Sequence, residues 1–336
     1  MNIVLASDDN GVNMLAVTLY SVIRNNPGVQ LDFHIIHSKI TEDNQKRLLE
    51  LDKVYENVSV LFHFIDAHFF DDISLNRKTI TMEAFYRYLI VDLLPNEDKA
   101  IYIDIDMLNL GQLSDLYKMD LSGYSLAAVE DYLIMHDKGW YGFRHATKFI
   151  KDKYFNSGFM VLNLKQLRQK GEIDKFWENS RNKSKLIDAE YNVFADQTVA
   201  NITFRNKVLF LPYKYNTLLT ALHFIKPRNV IIAHFTGWAK PLSYREPETI
   251  KYDSLYLEYY IETMKIIGDD GAMLRRVFLS LEDNVRLSRE EKHRAIDERN
   301  SVRKELEEVL SSTSWRITKP LRDTVKILRQ VIRSIK

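Results

Sequence analysis

The sequence predicts an α/β fold, with a mostly parallel sheet flanked by helices and a C-terminal helical extension. Three observations lead there. Short apolar stretches alternate with stretches of helical periodicity from Asn2 onward, the pattern of βαβ units. Pro27 and Pro95 close helical stretches, because proline lacks the amide hydrogen that would continue the ladder. Beyond Gly268 the composition turns densely charged.

Taken in order, Asn2 to Ala6 is an apolar run of strand length, and Met14 to Arg24 reads as the first helix, ended by Asn25 to Pro27. Leu31 to His37 is the second strand. Thr41 can cap a helix running to Val54, since its hydroxyl accepts from the free amides of the first turn. Ser59 to Ile65 is a third strand, Thr81 to Leu94 a third helix, and Ala100 to Asp104 a fourth strand. Ser125 to Val129 and Phe159 to Leu164 continue the sheet. An amphipathic helix starts at Asp196 and Gln197, and Val230 to Ala233 is a late strand that ends at His234. The stretch Tyr132 to Lys153, with Trp140, Tyr141, Phe143 and Arg144, fits either a lid or acceptor surface or packing over a core.

The chemistry concentrates in Lys99 to Leu110, KAIYIDIDMLNL. Side chains alternate across a strand, so Asp104 and Asp106 face one way and Ile105 the other. Two carboxylates in one partly buried volume repel and lose hydration, and a divalent cation between them offsets both costs. Asp-x-Asp is also ordinary turn chemistry. Its position at the carboxyl end of a buried parallel strand, where ligands of open α/β sheets gather, favours the metal. At the end of the first strand, Ser7, Asp8, Asp9, Asn10 and Gly11 form a polar turn before a helix N-terminus, which suits a nucleotide or a plain polar loop equally. No G-x-G-x-x-G is present there, which argues against a dinucleotide.

Arg87 lies in an otherwise apolar helical stretch and needs an anionic partner, either Glu83 or Asp92 nearby or a bound ligand. Asn156 is followed by Ser157 and Gly158, small residues that permit a ligand to approach the backbone. Asp196 by itself reads as a helix N-cap. His234 alone is an ordinary hydrogen-bonded histidine. Beside Asp104 and Asp106, which await a third protein ligand, it completes an oxygen and nitrogen set suited to Mn2+.

Five separated motifs then resemble one family. NIVLASDDN at Asn2 to Asn10, Arg87 within AFYRYL, YIDIDM around Asp104, YFNSGFMVLNL at Tyr154 to Leu164 and AHFTGWAKP at Ala233 to Pro241 resemble the retaining glycosyltransferases of family 8. The likeness is greatest to that family's bacterial lipopolysaccharide glucosyltransferases and galactosyltransferases, and it covers roughly the first 265 residues. It implies a GT-A-like, Rossmann-type sheet, a UDP-sugar donor, and Mn2+ or Mg2+ held by Asp104, Asp106 and His234. It also implies that Ser7, Asp8 and Asn10 surround the base and ribose, that Arg87 reaches the diphosphate or donor sugar, and that Ile105 lies with the metal aspartates in the donor site. Asn156 and Ser157 would bind the sugar, and Asp131 would be the carboxylate facing it. Asp196 and Gln197 would stand beside the anomeric carbon, with Gly237 and Lys240 near the phosphates. Gly11 departs from the aromatic residue found there in some relatives, and with it goes a side chain that would stack on a base.

Composition removes other classes. With 336 residues and 46% apolar content the chain can bury a real core. It has no cysteine, which rules out a disulfide framework and a thiolate metal site and is compatible with a reducing compartment. The N-terminus enters the strand pattern without a secretion signal, and no apolar run approaches the length of about 20 residues that spans a bilayer, so a cytoplasmic location is expected. His34, His37, His63 and His68 lack carboxylates at ligand spacing and read as structural. No motif suggests a Ser/His/Asp or Cys/His nucleophile, and no basic and aromatic platform for nucleic acid is present, so no nucleic-acid partner is expected.

Three segments follow: a catalytic domain at 1–268, a charged long helix or weak coiled coil at 269–310, and a basic amphipathic helix at 311–336. In the second, apolar residues recur by seven at Leu274, Leu281, Ala295, Val302 and Val309, but Ser288 breaks the repeat, so a solvated helix or bent hairpin fits almost as well. The third sets seven Lys/Arg against Asp323 alone and carries an apolar stripe through Ile317, Leu321, Val325, Leu328, Ile332 and Ile335. That pattern suits attachment in the plane of an anionic membrane, on the inner face of the cell membrane. The other reading is docking on the catalytic domain or on a second subunit, as in a homo-oligomer.

The expected function is metal-dependent transfer of glucose or galactose from UDP-glucose or UDP-galactose to a hydroxyl of a cell-surface glycan, lipid-linked glycan or glycoprotein. The anomeric configuration would be retained. Gln197 is a poor nucleophile where a carboxylate would be needed, which favours front-face attack with Gln197 as an electrostatic and positioning group. The alternative is a non-catalytic UDP-sugar-binding or assembly protein that uses the C-terminal helices to hold a partner or membrane.

Overall fold

The computed structural model describes residues 1–73, 82–136, 153–182, 195–243 and 246–268, together with helical, exposed positions Arg294, Asp297, Asn300, Ser301, Lys304 and Glu308. The chain divides into two units, Met1–Val277 and Phe278–Lys336. The heptad seam and the basic helix at 311–336 lie outside the described residues, as do 137–152 and most of 269–310.

Seven strands form the main sheet: β1 (Asn2–Ala6), β2 (Leu31–His37), β3 (Val58–Phe64), β4 (Lys99–Ile103), β6 (Leu126–Glu130), β7 (Phe155–Asn163) and β8 (Val208–Leu211), in the order β3-β2-β1-β4-β7-β6-β8. All pairings are parallel except those of β7, which runs antiparallel to both β4 and β6. A second sheet joins β5 (Met107–Asn109), β10 (Ile232–His234) and β9 (Thr217–Leu218) in the order β5-β10-β9. The mostly parallel α/β architecture is therefore the one the alternation predicted.

Five helices carry most of the packing: α1 (Val12–Asn25), α2 (Glu42–Val54), α3 (Glu172–Arg181), α4 (Ala195–Thr203) and α5 (Ile250–Ile267). Each central strand divides its side chains by period two. Ile3 and Leu5 of β1, with Ile101 and Ile103 of β4, pack on one face against Leu15, Leu19, Leu48, Leu51 and Tyr256 of α1, α2 and α5. Val4 and Ala6, with Ala100 and Tyr102, pack on the other against Phe176, Trp177, Val199 and Phe204 of α3 and α4. Thr41 caps α2 as expected, accepting from the Asn44 amide, and Asp9 Oδ1 accepts in turn from the Thr41 amide at 2.8 Å. That contact ties the first βα turn to the next helix.

The third predicted helix differs. Between Glu83 and Leu93 the chain forms two single turns, Glu83–Tyr86 and Ile90–Leu93, joined through i to i+3 bonds at Tyr88 and Leu89. Every residue from Phe85 to Val91 is buried. A run of aromatic and β-branched side chains surrounded on all sides has weak helix propensity and no solvent face to keep it regular. The break turns Arg87 inward.

Candidate active site

Strand β4 delivers Asp104 and Asp106 at its carboxyl end, and two long-range pairings build the site around them. Because β7 runs antiparallel to β4 with Phe159 opposite Ile103, its first residues Asn156, Ser157 and Gly158 lie beyond that end, and the Asp104 amide donates to the Gly158 carbonyl at 2.8 Å. Because β10 runs antiparallel to β5 with His234 opposite Met107, the imidazole arrives next to Asp106, and the Phe235 amide donates to the Asp106 carbonyl at 2.9 Å. From α1, Thr18 Oγ1 lies 2.6 Å from the Ile105 carbonyl oxygen and 2.8 Å from that of Met107, gripping the backbone on both sides of Asp106.

His234 Nε2 is 3.2 Å from Asp106 Oδ1 and 3.9 Å from Asp104 Oδ2. Among the described residues these three side chains offer ligand atoms within 4.8 Å of one another. Two hard carboxylate oxygens and an imidazole nitrogen fit Mn2+ or Mg2+, with positions left for donor oxygens or water. The space supports this fit. A Cβ on Gly158 would stand 2.5 Å from His234 Cε1 and 2.7 Å from Asp104 Oδ2, so glycine alone leaves the three ligands room to converge.

The two carboxylates are unlike. Burial and the like charge of Asp106 push the Asp104 carboxyl up, against the pull of Arg87 and His234. Burial also works to raise Asp106, but His234 and Lys240 outweigh it and hold Asp106 well below the usual carboxylate range. Lys240 Nζ donates to Asp106 Oδ2 at 2.7 Å. Arg87 is buried and its charge is secured: it reaches Asp104 at 3.2 Å and Asp196 at 3.4 Å and donates to the Ser157 carbonyl at 2.6 Å. Its guanidinium also covers the Tyr102 ring, whose hydroxyl donates to Asp104 Oδ1 at 2.7 Å. Neither Glu83 nor Asp92 is the partner of Arg87, because the broken helix aims it away from both.

Beside this group, joined to it through Ser157, stands a polar cluster. Asp131 Oδ2 accepts from Asn156 Nδ2 at 3.1 Å and from Gln197 Nε2 at 3.3 Å, and Gln197 Oε1 accepts from the Ser157 amide at 3.0 Å. Burial raises both Asp131 and Asp196. Asp196 lies in the first turn of α4, with its carboxylate turned to Arg87.

One cleft of about 700 Å³ opens onto all of this. Its lining includes Ser7, Asp8, Arg87, Asp104, Ile105, Asp106, Asp131, Asn156, Ser157, Asp196, Gln197, His234, Gly237 and Lys240. Asn10 is the expected residue that does not line it. Asn10 is exposed and its amide donates to Asp8 Oδ2 at 3.1 Å. Four neighbours were not anticipated as functional: Tyr102, Asn216, Thr220 and Trp238. Tyr102 had a signal, because period-two alternation puts it on the same face as Asp104; Ile105 and Asp106 instead lie in the turn after β4, so Ile105 lines the cleft with both aspartates and does not face away from them. Asn216, buried behind His234, had none in its local sequence. Trp238 lines the cleft while 43% exposed, next to Gly237 in the left-handed region at φ +57°.

Chemically, the cleft can hold a cation against a diphosphate at Asp104, Asp106 and His234 and orient a polyhydroxylated ring with the neighbouring carboxylate and amide groups. Comparison with known proteins agrees. Residues 2–244 match the model of "Glycosyl transferase family 8". The chain is 28% identical over 259 residues to a putative glycosyltransferase of Haemophilus influenzae, covering 73% of this chain and 74% of that one. It is 26% identical over 253 residues to an Escherichia coli lipopolysaccharide 1,2-glucosyltransferase, covering 71% and 72%. In fold it is similar to the crystal structure of galactosyltransferase LgtC in complex with donor and acceptor sugar analogs, with a TM-score of 0.66 and 24% identity over 78% of this chain and 96% of that one.

Proposed function

The chain belongs to glycosyltransferase family 8, and from that premise we propose that it transfers glucose or galactose from a UDP-sugar to a glycan hydroxyl with retention of configuration. What supports this reading is the convergence of Asp104, Asp106, His234 and Lys240 in one cleft that is also lined by Asp131, Asn156 and Gln197. Asp104, Asp106 and His234 would hold Mn2+ or Mg2+, which when bound supplies positive charge to the leaving diphosphate. Lys240 adds a point charge on the same oxygens, and Ser7 and Asp8 at the β1 turn receive the nucleoside.

Asp131 and Asn156 orient the sugar hydroxyls. Gln197 is held at both ends of its amide, by the Ser157 amide and by Asp131, so it keeps a neutral oxygen near the sugar and does not act as a nucleophile. The acceptor hydroxyl then attacks from the side the diphosphate leaves, and its proton passes to the departing phosphate oxygen. Arg87 stays bound to Asp104, Asp196 and Ser157 and keeps the acidic floor of the cleft in register.

The exposed face of Trp238 offers a platform for an acceptor sugar ring, whose C–H faces pack on aromatic rings. The Escherichia coli relative is named for lipopolysaccharide, which supports a cell-surface or lipid-linked glycan as the acceptor. A cytoplasmic enzyme held at the membrane by residues 311–336 would meet such an acceptor. Among the described residues no helix is long and apolar enough to cross a membrane.

The test is UDP release from UDP-glucose and UDP-galactose, with Mn2+ and after chelation. Metal-dependent release from one of the two donors is expected; donor binding without release under any condition would instead identify a UDP-sugar-binding protein. Trp238→Ala should raise the acceptor KM about 10-fold or more and leave donor hydrolysis unchanged.

A further inference from the structure

An imidazole can ligate a metal through Nε2 only when its lone pair faces the metal, which requires the proton to sit on Nδ1. In His234 the Nδ1 atom lies 2.9 Å from Asn216 Oδ1, and Asn216 is 1% exposed. The hydrogen-bond chain behind it determines which tautomer is present. The Gly158 backbone amide can only donate, so the atom it meets at 3.0 Å on Asn156 is the carbonyl oxygen, Oδ1. The other end of Asn156 is then the NH2 group, consistent with its contact to the Asp131 carboxylate at 3.1 Å. Asn156 Oδ1 also meets Asn216 at 2.9 Å, so Asn216 presents its NH2 there and turns its oxygen to His234. An oxygen facing Nδ1 takes a proton from it. Nε2 is left as the ring nitrogen that faces Asp104 and Asp106.

We infer that Asn216 is a positioning residue that sets His234 as the Nδ1–H tautomer, and that through Asn156 it couples the metal site to Asp131 on the sugar side of the cleft. This rests on the metal reading given above. A backbone amide anchors the chain at Gly158, so the proton on Nδ1 is fixed from behind whether or not a cation is bound. Groups hydrogen-bonded behind a metal ligand in this way typically contribute 10- to 100-fold to metal affinity. Asn216 has a further property that a carboxylate in its place would lack: its amide both accepts from His234 and donates to Asn156, so one side chain links the two.

The test uses the full chain with 15N-labelled histidine. In a long-range 1H–15N spectrum of the metal-free protein at about pH 8, with His234 assigned by its loss in His234→Gln, Nδ1 should show the protonated shift. Free Mn2+ followed by electron paramagnetic resonance then gives the Kd. Asn216→Ala should weaken Mn2+ binding by about 10- to 100-fold. Asn216→Asp keeps an acceptor for Nδ1 but no donor for Asn156, so Mn2+ affinity should stay within about threefold of wild type while the donor KM rises. An Nε2–H tautomer in the metal-free wild type overturns the inference whether or not the variants fold. So does wild-type Mn2+ affinity in Asn216→Ala, or equal losses in the two variants. A wild type that binds no Mn2+ overturns the metal reading itself, and this inference with it.

Discussion

Asp104 and Asp106 are separated by one residue and carry opposite electrostatic shifts, because burial and the neighbouring Asp106 charge raise Asp104 against the pull of Arg87, whereas at Asp106 the directly facing His234 and Lys240 outweigh burial. Replacing Asp106 by Asn removes the carboxylate that stays ionised most readily. Metal-dependent UDP release should fall by about 1,000-fold or more with the melting temperature nearly unchanged, since the lost charge serves the cleft and not the core. Retained turnover would remove Asp106 from the metal set. Gly158→Ala tests the close approach of the three ligands. Its new methyl would stand 2.5 Å from His234 Cε1, so the imidazole or β7 must shift. A stability loss of about 1–3 kcal/mol in urea titration is expected, with Mn2+ affinity reduced in step. Asp104, Asp106 and His234 were legible from strand-end position and Asn156 from the small residues after it, whereas Lys240, Asp131 and Gln197 were singled out through the family resemblance. Arg87 was legible as needing an anion, and only its partners were not, since its broken helix is a consequence of burial on all sides.

At the scale of elements, β2 and β3 are joined by more than their backbone ladder. His34 Nδ1 is 3.0 Å from His63 Nε2 across the pair, and His34 Nε2 is 3.3 Å from Asn2 Oδ1 on β1. Burial and the neighbouring His63 push His34 down to about 4. The folded value lies below the ordinary histidine value of about 6.5, so the unfolded chain takes up its proton first. Stability from this contact is therefore complete above about 6.5 and is lost as pH falls from there toward 4. Comparing urea unfolding at about pH 7.5 and pH 5, His34→Gln should shrink the difference by about 1 kcal/mol, after allowance for solvent screening. An unchanged difference would remove the histidine pair from the acid sensitivity of the sheet. The reading of these histidines as structural agrees with their place in the strands. Strand direction was the part of the element pattern that could not be read: β7 is a buried apolar run like its neighbours, and a run buried on both faces has the same composition whichever way it points.

At the scale of the molecule, the catalytic cleft and the charged C-terminal segments pose separate questions. The proposed membrane contact depends on basic residues of 311–336, each contributing about 1 kcal/mol near an anionic leaflet. Arg329→Glu with Arg333→Glu in the full chain should lower partitioning onto anionic vesicles by at least about 10-fold while UDP release in solution is unchanged. Equal partitioning of both forms would remove this segment as the anchor.

What the sequence determined by itself is local and periodic: which stretches are strands, which face each side chain takes, and that two aspartates end a buried strand together. Tyr102 and Asp104 share a face for that reason, whereas Asp106 reaches the cleft through the turn that follows β4. The tertiary structure decided which distant pieces meet. The antiparallel entry of β7 brings Gly158 against Asp104 and His234, the β5–β10 pairing brings His234 to Asp106, and Asn216 turns the imidazole. Periodicity reports the direction a side chain takes from its own backbone, whereas partner and tautomer depend on long-range packing and on hydrogen bonds that form only when the whole core has closed.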